Sequence, residues 1–293
     1  MTTRCGFVAL VGRPNVGKST LLNHVLGTKL SITSRKPQTT RNNLLGIDTR
    51  DETQTIYVDT PGIHNARGRA MNRYMVGQAL SVLQDVDLIV LLVETAWTQG
   101  DDVVLSHVKT TGVPCVCAIN KIDKLAAKEA LLPAIDQIRI KHEFEEIVPI
   151  SALKNSGLEI LRDEIAKRLP DGPHRFGSDD VTDRGEQYLV SEIVREKLMR
   201  RLGAELPHRS AVQLERLVRK PHIIEVDAVI YVERKSQKGI VIGRGGDRLK
   251  SIGRDARRDI EILLGGKVML RLWVKIKPGW SDSKTSMRTL GYN

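Results

Sequence analysis

Two glycines, a lysine and a serine near the N-terminus have the types and spacing needed to bind phosphate. From Gly12 to Ser19 the chain reads Gly, four residues, Gly-Lys-Ser. The glycines let the backbone wrap around an anion, so that successive N–H groups point at it from the start of a helix. Lys18 would reach the β- and γ-phosphates of a nucleotide, and the Ser19 hydroxyl would bind Mg²⁺. The predicted phosphate site comprises Gly12, Arg13, Pro14, Asn15, Val16, Gly17, Lys18, Ser19 and Thr20.

A second motif, Asp59-Thr60-Pro61-Gly62, follows an apolar segment at 55–58. Because Asp59 ends a strand-like segment, it can hold Mg²⁺ or its water from the side opposite Ser19. Gly62 can offer its backbone N–H to the γ-phosphate without steric conflict. The sequence therefore predicts a metal ion at Asp59 and Ser19 and a γ-phosphate contact at Gly62.

Threonines in the polar stretch Pro37-Gln38-Thr39-Thr40-Arg41 are candidates for a nucleotide-dependent contact. This stretch has neither helical nor strand periodicity. A threonine here could ligate Mg²⁺ only when the γ-phosphate is present, which would make the loop an order–disorder switch. We favour Thr40 over Thr39 as the metal ligand, and the alternative is a flexible surface loop. Lys18, Thr40 and Gly62 are the predicted catalytic residues.

The motif Asn120-Lys121-Ile122-Asp123 indicates which base is bound. Asp123 can accept two hydrogen bonds from the N1–H and 2-amino groups of guanine. Adenine offers neither donor, so a carboxylate left unpaired would reject it. Asn120 can tie this loop to the phosphate loop, and the Lys121 stem can lie over the base. Ser151-Ala152 follows a later strand, where the Ala152 N–H would meet guanine O6, so the motifs predict GTP rather than ATP.

Apolar segments separated by amphipathic helices position these motifs. The predicted strands are 7–11, 55–58, 87–93, 114–119 and 146–150, and the predicted helices lie near 18–27, 70–84, 101–111, 126–142 and 157–168. Near-continuous apolar strands alternating with helices predict an α/β P-loop domain with a mostly parallel sheet and helices on both faces. Ligands of such sheets bind at the carboxyl ends of the strands, where each motif falls.

A second domain follows a linker. Residues 171–183 are rich in Pro, Gly, Asp and Ser, which predicts a linker between a nucleotide domain at 1–170 and a second domain at 184–293. The second domain begins with a helix that has core spacing. Strict alternation predicts strands at 224–232 and 268–276, with a weaker strand at 211–219 and helices between. This order predicts a small α+β domain with its sheet covered on one face.

The predicted loop at 240–247 in the second domain contains Gly-Arg-Gly-Gly at 243–246 and resembles the GxxG loop of a KH module. Glycines let such a loop approach a single-stranded nucleic acid backbone closely, while Arg244 would meet phosphate. Basic side chains on the following helix extend this surface, and an ordinary glycine turn is the alternative. The predicted RNA-binding residues are Gly243, Arg244, Gly245, Gly246, Arg248 and Lys250.

The composition narrows the partners and the compartment. The formal net charge is +11, and residues 171–293 carry 25 Lys and Arg against 17 Asp and Glu. This excess favours a polyanionic partner, nucleic acid before membrane surface. Cys5, Cys115 and Cys117 lack CxxC spacing, so a metal site or disulfide framework is not expected. We also expect no signal peptide and no membrane span, because no apolar stretch approaches the necessary length.

The amino-acid sequences of these motifs resemble those of the translation-factor-related GTPases and, more narrowly, those of the Era family. The resemblance covers almost the whole chain. It implies a GTP-controlled cytoplasmic factor that binds near the 3′ end of 16S ribosomal RNA during 30S subunit assembly. Peripheral association with the inner membrane is reported for relatives. The matching stretches are Gly12–Thr20, Gln38–Arg41, Asp59–Gly62, Ser191–Leu198, Glu205–Pro207 and Leu272–Lys277.

The resemblance also bears on hydrolysis. As in these GTPases, the residue after Asp-x-x-Gly is apolar, here Ile63, so the glutamine that orients the attacking water in other GTPases is absent. We therefore predict slow, Mg²⁺-dependent intrinsic hydrolysis. The adjacent His64 is expected to be an exposed loop residue rather than a base. In some relatives an asparagine at the position of Asn15 helps to bind K⁺, which makes K⁺ a candidate cofactor here.

A molecular switch is the leading functional hypothesis. GTP would order residues 38–42 and 59–75, change how the two domains pack and so change the affinity for RNA, and hydrolysis would reset the protein. The alternative is a constitutive RNA-binding protein with a structural nucleotide. A metabolic P-loop kinase is not supported, because Asn120–Asp123 would have no role in it.

Overall fold

The chain forms two compact units. The computed structural model describes residues 3–34, 36, 38–64, 70–203 and 206–292, so Pro37, Glu205 and residues 65–69 of the stretches discussed above lie outside the described residues. Most of the second unit is the chain from Arg184 onward. The second unit also contains short segments from the region 1–170, which was predicted to be the nucleotide domain. Of the described residues, the first unit contains 3–31, 40–64 and 72–183, and the second contains 32–34, 36, 38–39, 70–71, 184–203 and 206–292.

A six-stranded sheet forms the centre of the first unit, in the order β2-β3-β1-β4-β5-β6. The β2 strand pairs antiparallel with β3, and the other neighbouring strands are parallel. The strands are β1 (Arg4–Val11), β2 (Leu44–Arg50), β3 (Thr53–Asp59), β4 (Leu88–Glu94), β5 (Cys115–Asn120) and β6 (Glu146–Pro149). The helices are α1 (Lys18–Val25), α2 (Ala70–Ser81), α3 (Gln99–Lys109), α4 (Leu131–Arg139) and α5 (Leu158–Ala166).

The predicted α/β fold with a mostly parallel sheet is confirmed. Every predicted strand and helix of this unit is present, although α4 is shorter than 126–142 and follows a separate 3-10 turn at Lys128–Ala130. Strand β2 was not predicted from the sequence. Its apolar residues are only Leu44, Leu45 and Ile47, interrupted by Gly46, and its polar residues 48–50 run into the following turn, so no strand pattern stands out.

The second unit contains a three-stranded sheet in the order β7-β8-β9, with β7 antiparallel and β9 parallel to the central β8. Valines and leucines of α6 and the apolar stripe of α8 share one hydrophobic core with this sheet. The predicted small α+β domain is therefore confirmed. Its elements are α6 (Glu186–Arg201), β7 (Ala211–Arg219), β8 (Ile224–Val232), α7 (Lys235–Ile242), α8 (Asp247–Leu264), β9 (Val268–Ile276) and α9 (Lys284–Thr289).

The cysteines and the composition of the helices can be compared with the expectations about disulfides and membrane spans. Cys5, Cys115 and Cys117 are free and buried, and the two in β5 pack in the core as small hydrophobic residues. Burial raises the pKa of the Cys115 thiol to about 12. Within the described residues, no helix has the length and apolar character that crossing a bilayer requires.

Candidate functional site

The phosphate loop connects β1 to α1 with a backbone that only these residue types allow. Gly12 has a φ of 153° and Gly17 a φ of 110°, and Asn15 between them also has a positive φ. A Cβ at Gly12 would lie 2.5 Å from the Leu92 carbonyl oxygen, and one at Gly17 would overlap the Asn120 amide. The two glycines are therefore required by close packing as well as by conformation.

Lys18 is buried at the start of α1, and its Nζ donates to the carbonyl oxygens of Gly12 (3.1 Å) and Arg13 (3.0 Å). Burial lowers the pKa of Lys18 to about 8, and the charge of Asp59 opposes this effect. An ammonium group held inside its own phosphate loop is suited to bind an anion that enters the loop. Thr20 lies in the first turn of the same helix.

A buried carboxylate collects three hydroxyl groups beside the phosphate loop. Oδ2 of Asp59 accepts hydrogen bonds from Ser19 (2.8 Å), Ser31 (2.8 Å) and Thr40 (3.1 Å). The hydroxyl oxygens of Ser19 and Thr40 also lie 2.9 Å apart. Burial raises the pKa of Asp59, against the opposing effects of Lys18 and these hydroxyls. The three predicted metal ligands, Ser19, Thr40 and Asp59, are thus brought together.

This oxygen cluster fits a hard divalent cation. Asp59 is fully inaccessible to solvent, and its Oδ1 has no hydrogen-bond partner among the residues that the structure describes. A carboxylate oxygen without a partner beside two hydroxyls is the donor set that Mg²⁺ prefers. The two candidate threonines differ in geometry. The Thr40 side chain joins the cluster around Asp59. The Thr39 carbonyl instead accepts a hydrogen bond from Arg195, and Thr39 and Arg195 both belong to the second unit.

The Gly62 segment packs against the phosphate loop. A Cβ at Gly62 would lie 2.6 Å from the Pro14 nitrogen, and the Ile63 N–H donates to the Gly12 carbonyl at 3.2 Å. The Ile63 side chain is fully buried in the core of the first unit, so it has no polar group to offer to water. His64 is partly buried rather than exposed, and its Nδ1 lies 2.9 Å from the Gly62 carbonyl oxygen.

The predicted base-binding residues meet at the ends of β5 and β6. Nδ2 of Asn120 donates to the Val16 carbonyl at 2.8 Å, which ties this loop to the phosphate loop. Asp123 is exposed, and its Oδ1 accepts a hydrogen bond from the Ser151 hydroxyl. The Ser151 contact orients a carboxylate whose remaining acceptor positions suit the paired donors of guanine.

Two further residues predicted to contact the base, Ala152 and Lys121, have hydrogen-bond partners within the protein. The Ala152 N–H donates to Oδ1 of Asn120 at 2.9 Å, so contact with guanine O6 requires that hydrogen bond to be shared or exchanged. The Lys121 ammonium donates to the Asn15 carbonyl at 2.7 Å and pairs with Glu94. The Lys121 ammonium is therefore held by two acceptors, and the prediction that the Lys121 stem lies over the base remains a prediction.

Sequence reasoning missed several residues that hold the site. Ser31 donates to Asp59, Glu94 pairs with Lys121, and the buried Asp101 pairs with Arg13 at 2.7 Å. The position of Glu94 directly after an apolar strand was a signal that was available. Ser31 and Asp101 offered none, because their partners are distant in the sequence.

The glycine-rich turn of the second unit is exposed and has the backbone that glycine permits. Gly243, Gly245 and Gly246 have φ values of 77°, 59° and 82°. The Arg244 and Lys250 side chains are exposed. Arg248 is also exposed, but its Nη1 donates to the Ile240 carbonyl at 2.6 Å, so part of this guanidinium serves the turn itself.

The turn also corrects the predicted boundaries of the loop. Residues 240–242, expected in the loop, form the end of α7, and the turn begins at Gly243.

The helix α9 near the C-terminus was not predicted, because its six residues are too short for a periodic pattern.

The P-loop fold, the oxygen cluster around Asp59 and the loop that carries Asp123 are the features of a GTPase domain, and the α+β unit with its GxxG turn is that of a KH domain. A family model described as "50S ribosome-binding GTPase" matches residues 7–121, and the KH domain model matches residues 205–281. GTPase Era of Marinobacter nauticus is 53% identical over 290 residues, 99% of this chain and 95% of the relative. GTPase Era of Pseudomonas putida is 51% identical over 291 residues, 99% of this chain and 97% of the relative. The chain therefore belongs to the Era family of GTPases.

Two solved structures are similar over the full chain. Era in complex with MgGDPNP and nucleotides 1506–1542 of 16S ribosomal RNA has a TM-score of 0.96 and 41% identity, with 99% of each chain covered. A single-residue variant of Aquifex aeolicus Era bound to GDP·AlF4⁻ has a TM-score of 0.95 and 40% identity, also with 99% of each chain covered. These structures agree with the predicted α/β P-loop domain followed by a KH domain.

Proposed function

We propose that this GTPase is a molecular switch whose bound nucleotide controls its affinity for small-subunit ribosomal RNA. The observation that carries the proposal is that Thr40, from a segment without periodicity, contributes its hydroxyl to the cluster around Asp59. Because a loop residue joins a metal-ligand set, the loop can respond to the nucleotide. The response is limited by the differential affinity of the two nucleotides for the two arrangements.

The site residues divide the work of holding the nucleotide. Asp123 accepts hydrogen bonds from guanine and so excludes adenine. Lys18 keeps a positive charge against the β- and γ-phosphates, and the Gly62 N–H donates to the γ-phosphate. Ser19, Thr40 and Asp59 would hold Mg²⁺, a role supported by the unpartnered Oδ1 of Asp59. When bound, Mg²⁺ neutralises phosphate charge.

Intrinsic hydrolysis is slow, because the position that carries a water-orienting glutamine in other GTPases holds Ile63. Its side chain is buried in the core and offers no hydrogen bond. We further propose that K⁺ bound near Asn15 contributes to turnover. Hydrolysis measured in K⁺ and in Na⁺ buffers at equal ionic strength tests this, and equal rates contradict it.

The RNA partner is the 3′ region of 16S ribosomal RNA, and the protein acts in 30S subunit assembly. The exposed GxxG turn supports binding of single-stranded RNA. The complex of an Era relative with nucleotides 1506–1542 of 16S ribosomal RNA supports this choice of RNA. With ribosomal RNA as its partner, the protein is cytoplasmic. Peripheral attachment to the inner membrane, also implied by the resemblance, is tested by cell fractionation.

The deciding experiment compares affinities for a 16S 3′-end RNA fragment with GDP and with a non-hydrolysable GTP analogue. We expect different affinities in the two states, with a scrambled RNA of equal length bound more weakly in both. Equal affinities would favour a constitutive RNA-binding protein with a structural nucleotide. Asp123→Asn is the matched control, because a guanine nucleotide should then lose its influence on RNA affinity.

A further inference from the structure

Contacts between cations and carbonyl oxygens join helix α6 to Thr33, Lys36 and Thr39, all within the second unit. Arg195 donates to the Thr39 carbonyl, and Arg200 donates to the Thr33 carbonyl at 3.3 Å. In the reverse direction, Nζ of Lys36 donates to the carbonyl oxygens of Met199, Leu202 and Gly203 at the end of α6. We call the contacts of these three cations the α6 clasp.

Arg195 is the most constrained cation of the α6 clasp. Its side chain is 2% exposed, and its guanidinium forms a two-point interaction with Glu192, Nε to Oε1 at 2.7 Å and Nη2 to Oε2 at 2.6 Å. Nη1 contacts the Met199 sulfur at 3.6 Å. Since Glu192 and Met199 fix the plane of the guanidinium, the donor that faces the Thr39 carbonyl has one direction.

The Thr39 carbonyl belongs to the peptide unit that leads into Thr40. A peptide unit is planar, so the position of its oxygen largely fixes the positions of the next nitrogen and Cα. The Thr40 hydroxyl, one residue further on, lies 2.9 Å from the Ser19 hydroxyl and 3.1 Å from Asp59. The same short stretch is therefore held by its carbonyl at Thr39 and by its side chain at Thr40.

We infer that Arg195 is a positioning residue for Thr40, which it holds in the place where Thr40 can ligate the metal ion of the GTP-bound state. This inference rests on the proposed metal role of Thr40. A contact that exists only when Thr40 is in place stabilises the complex with GTP and Mg²⁺ and leaves the complex with GDP unchanged. By linkage, binding of GTP and Mg²⁺ stabilises the Arg195–Thr39 contact by the same factor.

The test measures the affinities of Arg195→Met for GDP and for a non-hydrolysable GTP analogue with Mg²⁺. We expect about 10-fold weaker binding of the analogue, because one charge-assisted hydrogen bond is lost, and a change of less than about 2-fold for GDP. The Mg²⁺ concentration that half-saturates analogue binding should rise in parallel. A merely structural Arg195 would lower both affinities equally or neither, and either result overturns the inference.

Two controls make the result specific. Arg200→Met removes the contact with Thr33, further from Thr40 along the chain, and should leave the ratio of the two affinities unchanged. Arg195→Lys keeps the buried charge but cannot bind Glu192 and Thr39 with one planar group, so it should also lower the ratio. This second variant gives an answer if Arg195→Met does not fold, and an unchanged ratio in it contradicts the inference.

A double-mutant cycle separates this inference from the proposed function. Thr40→Ala alone should weaken binding of the analogue with Mg²⁺, and no effect would refute the proposed metal role of Thr40. If Thr40→Ala has its effect, Arg195→Met added to it should cause little further loss, because the two residues act through one arrangement. Fully additive losses would overturn the role of Arg195 alone.

Discussion

The Ser31 hydroxyl lies 2.8 Å from Oδ2 of Asp59, although Ser31 belongs to no motif of the chain. Ser31 is buried, and it is one of three hydroxyls on that oxygen. Its hydroxyl donates to the carboxylate, and we expect this hydrogen bond to orient Asp59. Oδ1 of Asp59, the oxygen without a partner, then remains available for the cation.

Ser31→Ala should raise the Mg²⁺ concentration needed for binding of a GTP analogue by about 3- to 10-fold. The reason is the loss of one hydrogen bond to a buried carboxylate. Fluorescence titration of the analogue at increasing Mg²⁺ measures the change. Ser106→Ala removes a hydroxyl that only donates to Val103 on an exposed helix surface, and it should have no effect. An unchanged Mg²⁺ dependence in Ser31→Ala would exclude the orienting role.

Asp123→Asn should reduce the affinity for GDP by at least about 10-fold and increase the affinity for xanthosine diphosphate. An amide cannot accept from both guanine donors, but it can donate to the extra carbonyl of xanthine. Calorimetric titration with the two nucleotides measures the exchange. Because the Ser151 hydroxyl can still donate to the Asn oxygen, the loop should keep its conformation. Retained GDP affinity would show that Asp123 does not contact the base.

Gly62→Ala should weaken binding of a GTP analogue more than binding of GDP. The added Cβ would lie 2.6 Å from the Pro14 nitrogen and 2.7 Å from its Cα, so one of the two loops must move. In the proposed site only the triphosphate uses the Gly62 N–H, so its affinity should depend more strongly than that of GDP on the position of this peptide. Nucleotide titrations of both forms provide the measurement.

Gly77→Ala is the matched control for that substitution. Gly77 lies within α2, and no atom of the described residues lies within 4 Å of a Cβ added there. Alanine in a helix interior should raise the free energy of unfolding by about 0.5–1 kcal/mol without changing nucleotide affinity. If Gly62→Ala lost the same factor in affinity for GDP and for the GTP analogue, relative to this control, the Gly62 contact would be contradicted.

Arg244→Glu should weaken binding of the 16S 3′-end fragment by about 10-fold or more and leave the GTP turnover of the protein alone nearly unchanged. The substitution replaces an exposed cation of the GxxG turn with an anion. The slope of log affinity against log salt concentration should become shallower by about 1, the value expected for the loss of one phosphate contact. Arg288→Glu makes the same charge change at an exposed site on α9 and should have a much smaller effect. Equal losses in the two variants would mean that net charge alone governs binding.

The sequence predicted the elements and motifs that depend on neighbouring residues. The spacing of Gly12, Gly17, Lys18 and Ser19 requires one backbone path, and the structure has the positive φ values that such a path needs. Strict alternation over 224–232 and 268–276 gave both strands with their observed ends, because side chains alternate between the faces of a strand. The antiparallel β2 was missed, since an edge strand needs few buried residues.

Contacts between distant parts of the chain were decided by tertiary structure alone. No local pattern distinguishes Thr40 from Thr39, yet one side chain faces Asp59 while the other residue presents its carbonyl to Arg195. Ser31 and Asp101 become important only because folding brings Asp59 and Arg13 to them. Hydrophobic periodicity and turn chemistry act over a few residues and can be read from the sequence. The partner of a buried polar group depends on which distant segments pack together, so only the folded chain determines it.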